Sequence, residues 1–255
     1  MAQATVLYRR DGPLAFITLN RPRAANGVNL ELAQELRQLC QRARQDDTLR
    51  AVVLTGRGQA FSVGAALPPP GEGFASTPEA WLELHRAASS LAALQQPVVA
   101  AINGDALDQG LELALACDLR IAASGARLGL THLLRGVLPW DGGTQRLPRI
   151  VGRARALELL LLGRVLEAQE ALQMGLVHLV VEPDRLKAKA RELALRLAQG
   201  APIAARYTKE AVLQGMDLPL EQGMRLEADL NLILHSTADR REGIASFLEK
   251  RAPRF

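Results

Sequence analysis

Residues 97–118 read PVVAAINGDALDQGLELALACD and carry strand, turn and helix in one pass. Val98 to Ile102 is a short apolar run rich in β-branched residues, bounded by Pro97 in front and Asn103-Gly104 behind. That is the pattern of a buried strand ending in a tight turn. From Gly110 onward, Leu111, Leu113, Ala114, Leu115 and Cys117 make an almost wholly apolar helix, which belongs in a core. Glu112 breaks that run in the first turn. A carboxylate there costs free energy unless it is paired or hydrated. The start of a helix also presents unpaired backbone N–H groups and the positive end of the dipole. These are the parts needed to hold a developing oxyanion and to move a proton beside it. A structural carboxylate that caps a backbone group or reaches water fits the stretch as well, and the remainder of the chain weighs between the two.

Toward the N-terminus, Thr5 to Arg10 and Leu14 to Asn20 read as strands joined through Asp11-Gly12-Pro13, a hairpin signal. Asn29 is placed as the N-cap of a helix with Leu32, Leu36, Leu39, Cys40 and Ala43 on one face. Ala51 to Thr55 is a second buried strand. A Pro/Gly-rich loop over 68–73 follows, the expected margin of a site, and Thr77-Pro78-Glu79 opens the next helix. Toward the C-terminus, Leu119 to Ala123 and Arg127 to Leu130 read as strands, helical pieces break at Pro148 and Gly152, and Leu176 to Val181 returns as a strand. Helices then cover 184–199, 202–214, 220–236 and 238–250. Strand–helix units followed by a helical tail indicate an α/β architecture. Residues 1–200 form its core and residues 201–255 a C-terminal helical region.

The 255 residues can bury a large core, and 48% hydrophobic with 23% charged residues is the balance of a globular protein. No apolar run approaches the ~20 residues that span a bilayer, and no secretory signal is visible at the start. Cys40 and Cys117 fall in apolar helical patterns as reduced thiols, which points to the cytoplasm. The net charge of +4 is carried mostly by scattered arginines, and aromatic residues are only 4%, so nucleic acid is disfavoured as a partner. An anionic small molecule accounts for the charge equally well.

Several segments together resemble the crotonase (enoyl-CoA hydratase/isomerase) family: Leu19-Asn20-Arg21-Pro22-Arg23-Ala24, Phe61-Ser62-Val63-Gly64-Ala65, Ile102-Asn103-Gly104 with Gly110-Leu111-Glu112-Leu113, Gly142-Gly143-Thr144-Gln145-Arg146-Leu147, Gly175-Leu176-Val177 and Phe247-Leu248-Glu249-Lys250-Arg251. Their order and spacing run nearly end to end. The resemblance implies a spiral of ββα turns with C-terminal helices that build a homotrimer or a dimer of trimers. It implies an acyl-CoA substrate, with coenzyme A carried by that substrate and no separate cofactor or metal. The thioester oxygen would sit in an oxyanion hole made by the backbone N–H groups of Ala65 and Gln109. Arg23, Ala24, Phe61, Val63, Gly64, Ala65 and Gly110 would line the CoA and acyl path, Trp140 would wall the acyl pocket, and Phe247 and Lys250 would reach CoA from a neighbouring subunit.

The departures from the pattern bear on the reaction. Asp108-Gln109-Gly110 stands where the family commonly has three glycines, and Ala66 stands where it has an aspartate. Of the two hydratase glutamates, one matches Glu112, and the other position holds His132. Trp140 and Asp141 precede Gly142-Gly143-Thr144, near where some isomerases and dehalogenases of the family place a catalytic aspartate. Hydration needs one group to activate water and one to protonate the α-carbon. Glu112 fits the first, leaving His132 or Asp141 for the second. Hydration or dehydration of an enoyl-CoA is thus the leading reading. Double-bond isomerisation and thioester hydrolysis are the alternatives among enzymes, and an idle binder of CoA esters or RNA is the alternative of another class.

Overall fold

The computed structural model describes residues 4–65, 79 and 86–255. The main sheet has six strands in the order β1 (Val6–Asp11), β2 (Leu14–Leu19), β3 (Ala51–Gly56), β4 (Val98–Ile102), β6 (Leu119–Ala123) and β9 (Leu179–Val181). A smaller sheet joins β5 (Ala106–Leu107), β7 (Arg127–Gly129) and β8 (Val165–Glu167). The helices are α1 (Leu30–Arg44), α2 (Ala87–Ala92), α3 (Gln109–Leu115), α4 (Gly143–Val151), α5 (Arg153–Leu162), α6 (Ala168–Gln173), α7 (Leu186–Ala198), α8 (Pro202–Gly215), α9 (Leu220–Leu234) and α10 (Ala238–Leu248).

Within the main sheet only the β1–β2 hairpin is antiparallel, and the pairs from β2–β3 to β6–β9 run parallel. Parallel strands are covered on both faces, so AVVL and VVAAI are apolar without alternation. On one face Val52, Leu54, Val98, Ala100, Ile102 and Ala122 join the larger core with residues of α1, α2 and α3. On the other, Ala51, Val53, Val99, Ala101, Ile121 and Ala123 are covered by Leu186, Ala190 and Ala194 of α7.

Asn29 caps α1 as its position predicts, its Oδ1 accepting from Leu32 N at 3.0 Å. Helix α4 continues through Pro148, where the sequence reading places a break. An internal proline forfeits a backbone bond and crowds the preceding turn. Leu147 and Val151, buried on either side of it, hold the helix together. The strand expected from Leu176 begins at Leu179, because the Leu176 carbonyl accepts from Arg120 Nε at 2.8 Å instead. Strands β5 and β8, of two and three residues, are too short to leave a periodic signal. The loop expected over 68–73, the helix start at Thr77-Pro78, and Ala66 lie outside the described residues.

Helices α8, α9 and α10 follow the expected tail closely, yet they bury little. Leu230 and Ser246 are their buried side chains, whereas Leu220, Leu232 and Phe247 are 80%, 71% and 82% exposed. Among the described residues no helix is long and apolar enough to cross a membrane.

Candidate active site

Two asparagines, Asn26 buried and Asn103 half-buried, shape the ground beneath the site. Asn26, in a left-handed conformation at φ +55°, donates from Nδ2 to the carbonyls of Arg57 and Ala60 and accepts at Oδ1 from Arg21 N. Its own carbonyl accepts from Ser62 Oγ at 2.8 Å. Asn103 donates to the Gly58 and Ala60 carbonyls and accepts from Gly56 N at 2.9 Å. The two amides tie the Arg21–Gly27 turn and the end of β4 to the loop after β3.

That loop then meets the start of α3. Phe61 and Ser62 donate their N–H groups to the Asp105 carbonyl, and Leu107 N donates to Ser62 O at 2.9 Å. Gly64 has φ +88°, and a Cβ added there would lie 3.0 Å from Gln109 N and 2.8 Å from Asp108 Cβ. A Cβ on Gly110 would come within 2.0 Å of Ser62 O. Both glycines are therefore demanded by close approach, and they bring the backbone of Gly64-Ala65 against the first residue of α3.

Glu112, in the first turn of α3, is fully buried. Its Oε1 accepts from Asp141 N at 2.8 Å and from Gly143 N at 2.7 Å, and a Cβ on Gly143 would lie 3.0 Å from that oxygen. Its Oε2 has no hydrogen-bond partner among the described residues. Burial pushes the carboxyl from an ordinary value of 4.5 up to about 7, against the pull of the two N–H donors.

His132 and Asp141 flank this carboxylate in different ways. His132 opens a short 3-10 turn, His132–Arg135, and is fully buried. Its Nε2 is 3.8 Å from Glu112 Oε2 and its Nδ1 is 3.3 Å from Asp108 Oδ1, and neither nitrogen makes a conventional hydrogen bond among the described residues. Burial lowers its pKa below the ordinary histidine value, so the ring is neutral at neutral pH. Trp140 meets it edge-on, with ring centroids 5.0 Å apart at 81°. The Asp141 carboxylate points elsewhere: Oδ2 accepts from Ala88 N at 2.7 Å and Gln109 Nε2 at 3.1 Å, and Oδ1 from Ser89 N at 3.3 Å. It caps α2, and it touches Glu112 only through its backbone N–H. Burial raises its pKa to about 6.

The structure thus gathers Gly64, Ala65, Gln109, Gly110, Glu112, His132, Trp140 and Asp141 from the β3–α2 loop, α3 and the β7–α4 connection. Val63 is half-buried in the same loop. The Phe61 side chain is fully buried in the core, so the loop it opens borders the site by backbone. Arg23 and Ala24 are exposed on the 3-10 turn Pro22–Ala24. Phe247 and Lys250 are exposed at the end of α10, and the single chain does not pack them against Glu112. Sequence reasoning missed Asn26 and Arg135, and it treated Asp108 only as a departure. The two carboxylates so close together, Asp108 and Glu112, were the signal available.

The family described as enoyl-CoA hydratase/isomerase matches residues 9–255. The (E)-benzylidenesuccinyl-CoA hydratase of Thauera aromatica is 42% identical, over 95% of each chain. The crotonyl-CoA hydratase of Syntrophomonas wolfei is 35% identical over 100% of this chain and 99% of its own. A crystal structure of enoyl-CoA hydratase from Bacillus anthracis superposes with a TM-score of 0.94 at 40% identity, covering 98% of both chains. Matched by the family from residue 9 to residue 255 and superposing on a solved enoyl-CoA hydratase over nearly its whole length, the chain has the crotonase fold and belongs to the enoyl-CoA hydratase/isomerase family.

Proposed function

We propose that the protein hydrates an enoyl-CoA, adding water across the α,β double bond of the thioester. The observation that carries this reading is Glu112: a buried carboxyl near pKa 7, one oxygen locked by two N–H donors and the other facing His132 Nε2 at 3.8 Å. Such a group exchanges a proton readily at neutral pH. The backbone N–H groups of Ala65 and Gln109, on the two segments that meet at Gly64, would hold the enolate oxygen, and each such donor contributes about 3–4 kcal/mol to barrier lowering. Several relatives bear the names of enoyl-CoA hydratases acting on different acyl groups, which supports the reaction class. Asp141 has its carboxylate engaged by three donors, and that favours His132 as the partner of Glu112.

The proposal includes assembly into a trimer or a dimer of trimers, where Phe247 and Lys250 would meet CoA from a neighbouring copy, and a division of labour between residues 1–200 and the helical region 201–255. The test is incubation with crotonyl-CoA, following loss of the conjugated thioester absorbance and a gain in mass of one water. No turnover of short, branched or aromatic enoyl-CoA esters, with binding intact, would leave the idle-binder reading in its place.

A further inference from the structure

Asp108 adopts φ +50° and ψ −125°, a conformation that side-chain-bearing residues rarely take and that glycine takes freely. Strain of this kind persists where the surroundings over-determine it. Here the surroundings are the turn that carries His132. The buried Asp108 carboxylate accepts at Oδ1 from Thr131 N at 2.6 Å and from Thr131 Oγ1 at 3.0 Å, and at Oδ2 from the Arg135 guanidinium. Thr131 and Arg135 bracket His132, so one carboxylate grips the turn on both sides of the imidazole. Oδ1 then lies 3.3 Å from His132 Nδ1, while Nε2 faces Glu112 Oε2 at 3.8 Å and the Trp140 edge braces the ring.

We propose that Asp108 is a positioning residue: it holds His132 in the tautomer with the proton on Nδ1, so that Nε2 offers a lone pair into the space beside Glu112 Oε2. A carboxylate oxygen accepts, and Asp108 Oδ1 is the nearer of the two, 3.3 Å from Nδ1 against 3.8 Å between Glu112 Oε2 and Nε2, so a slight turn of the ring closes the Nδ1–H bond. A neutral imidazole has one N–H to give, and Glu112, with its pKa near 7, can carry a hydrogen of its own. The groups facing the ring are Asp108 and Glu112, with Arg135 behind Asp108. Burial keeps the ring neutral among them. His132 is then an acceptor and not the donor of the second proton. Resting on the hydration reading, the step balances with one acid–base group. A water donates one hydrogen bond to His132 Nε2 and gives its other proton to Glu112 as its oxygen bonds to the β-carbon. The displaced double-bond pair delocalises into the thioester enolate, and Glu112 returns the same proton to the α-carbon. The hydrogen held by Nε2 stays on the new hydroxyl.

The chain has four histidines, so selective ¹⁵N-histidine labelling, with assignment by His132→Gln, resolves the ring directly. The expected spectrum shows His132 with a protonated Nδ1 and an unprotonated Nε2 from pH 6 to 8. Asp108→Asn can turn its NH₂ toward Nδ1, and Asp108→Gly relieves the backbone while removing the acceptor. Both should shift the ring to the other tautomer or a mixture, and both should lower kcat on crotonyl-CoA roughly 10–100-fold with KM little changed. Arg135→Met removes the ion pair alone and should keep the wild-type tautomer. A protonated Nε2 in the wild type, or an unchanged tautomer in both Asp108 variants, would overturn the proposal and leave Asp108 as an anchor for the turn. Because the spectrum needs no substrate, failure of the hydration reading would show separately, as a wild type with the expected tautomer and no turnover.

Discussion

The behaviour of Glu112 follows from a contest between burial and hydrogen bonding on one carboxyl group. Burial wins, and the pKa rises to about 7. Glu112→Gln keeps the shape and one acceptor for the Asp141 and Gly143 N–H groups, but it cannot exchange a proton. Turnover of the identified substrate should fall by roughly 10²–10⁴, while calorimetry should find CoA-ester affinity nearly unchanged. The same substitution should reveal a cost to stability. A carboxyl whose native pKa exceeds its unfolded one favours the folded state fully below about 4.5, and that contribution is lost as the pH rises to about 7. Asp141 slopes the same way, and neutral, buried His132 slopes the other. Removing the Glu112 contribution alone should make Glu112→Gln gain on the wild type between pH 5 and pH 8, by about 2.5 kcal/mol in urea unfolding. An equal difference at the two pH values would show that Glu112 is not protonated as its surroundings dictate.

Helix α3 depends on both of its ends. Its N-terminus meets the Gly64 loop, and beyond its C-terminus the buried Arg120 donates to the Cys117 carbonyl at 2.6 Å, to Ala114 at 3.5 Å and, across to the next connection, to Leu176 at 2.8 Å. A cation at that end complements the helix dipole and satisfies carbonyls the helix leaves open. Arg120→Met fits the space but strands those acceptors, and we expect a loss of about 2–5 kcal/mol in unfolding free energy. A change under 0.5 kcal/mol would mean that water replaces the guanidinium. The strand and helix at 97–118 were readable because a buried parallel strand and a buried helix both suppress polar residues, which left Glu112 conspicuous. Arg120 was not readable as a staple, since its partners are carbonyls fixed by the tertiary fold. Asp141 illustrates the same limit: the sequence places it beside Gly142-Gly143, but only the fold brings the open N–H groups of α2 within its reach. The turn at Asp108 was hidden for a third reason, since its positive φ contradicts local preference and survives through contacts with residues 131–135.

At the scale of the whole molecule, the core is complete on both faces of the main sheet, and the apolar surplus lies in α5 and α8–α10. Leu161, Leu162, Leu220, Leu232, Phe247 and Leu248 are all exposed in the single chain. Apolar surface of that extent on a globular chain marks an interface. Light scattering at micromolar concentration should give three or six times the 27.6 kDa of the chain, and the pair Leu232→Glu with Phe247→Glu should lower that mass. A 27.6 kDa particle for the wild type would contradict the assembly. Calorimetry with crotonyl-CoA tests the other outward surface: Arg23→Glu on the exposed 22–24 turn should weaken binding several-fold, and unchanged affinity would remove Arg23 from the CoA path. The grip of two backbone amides on Glu112 Oε1 offers one more handle. Both amides are sealed from water while the grip holds, so each can trade its hydrogen for deuterium only when the β7–α4 connection lifts away. The exchange rates of Asp141 and Gly143 are therefore a clock for how often the resting enzyme lets go of its own acid, and a ligand seated against Glu112 should slow that clock.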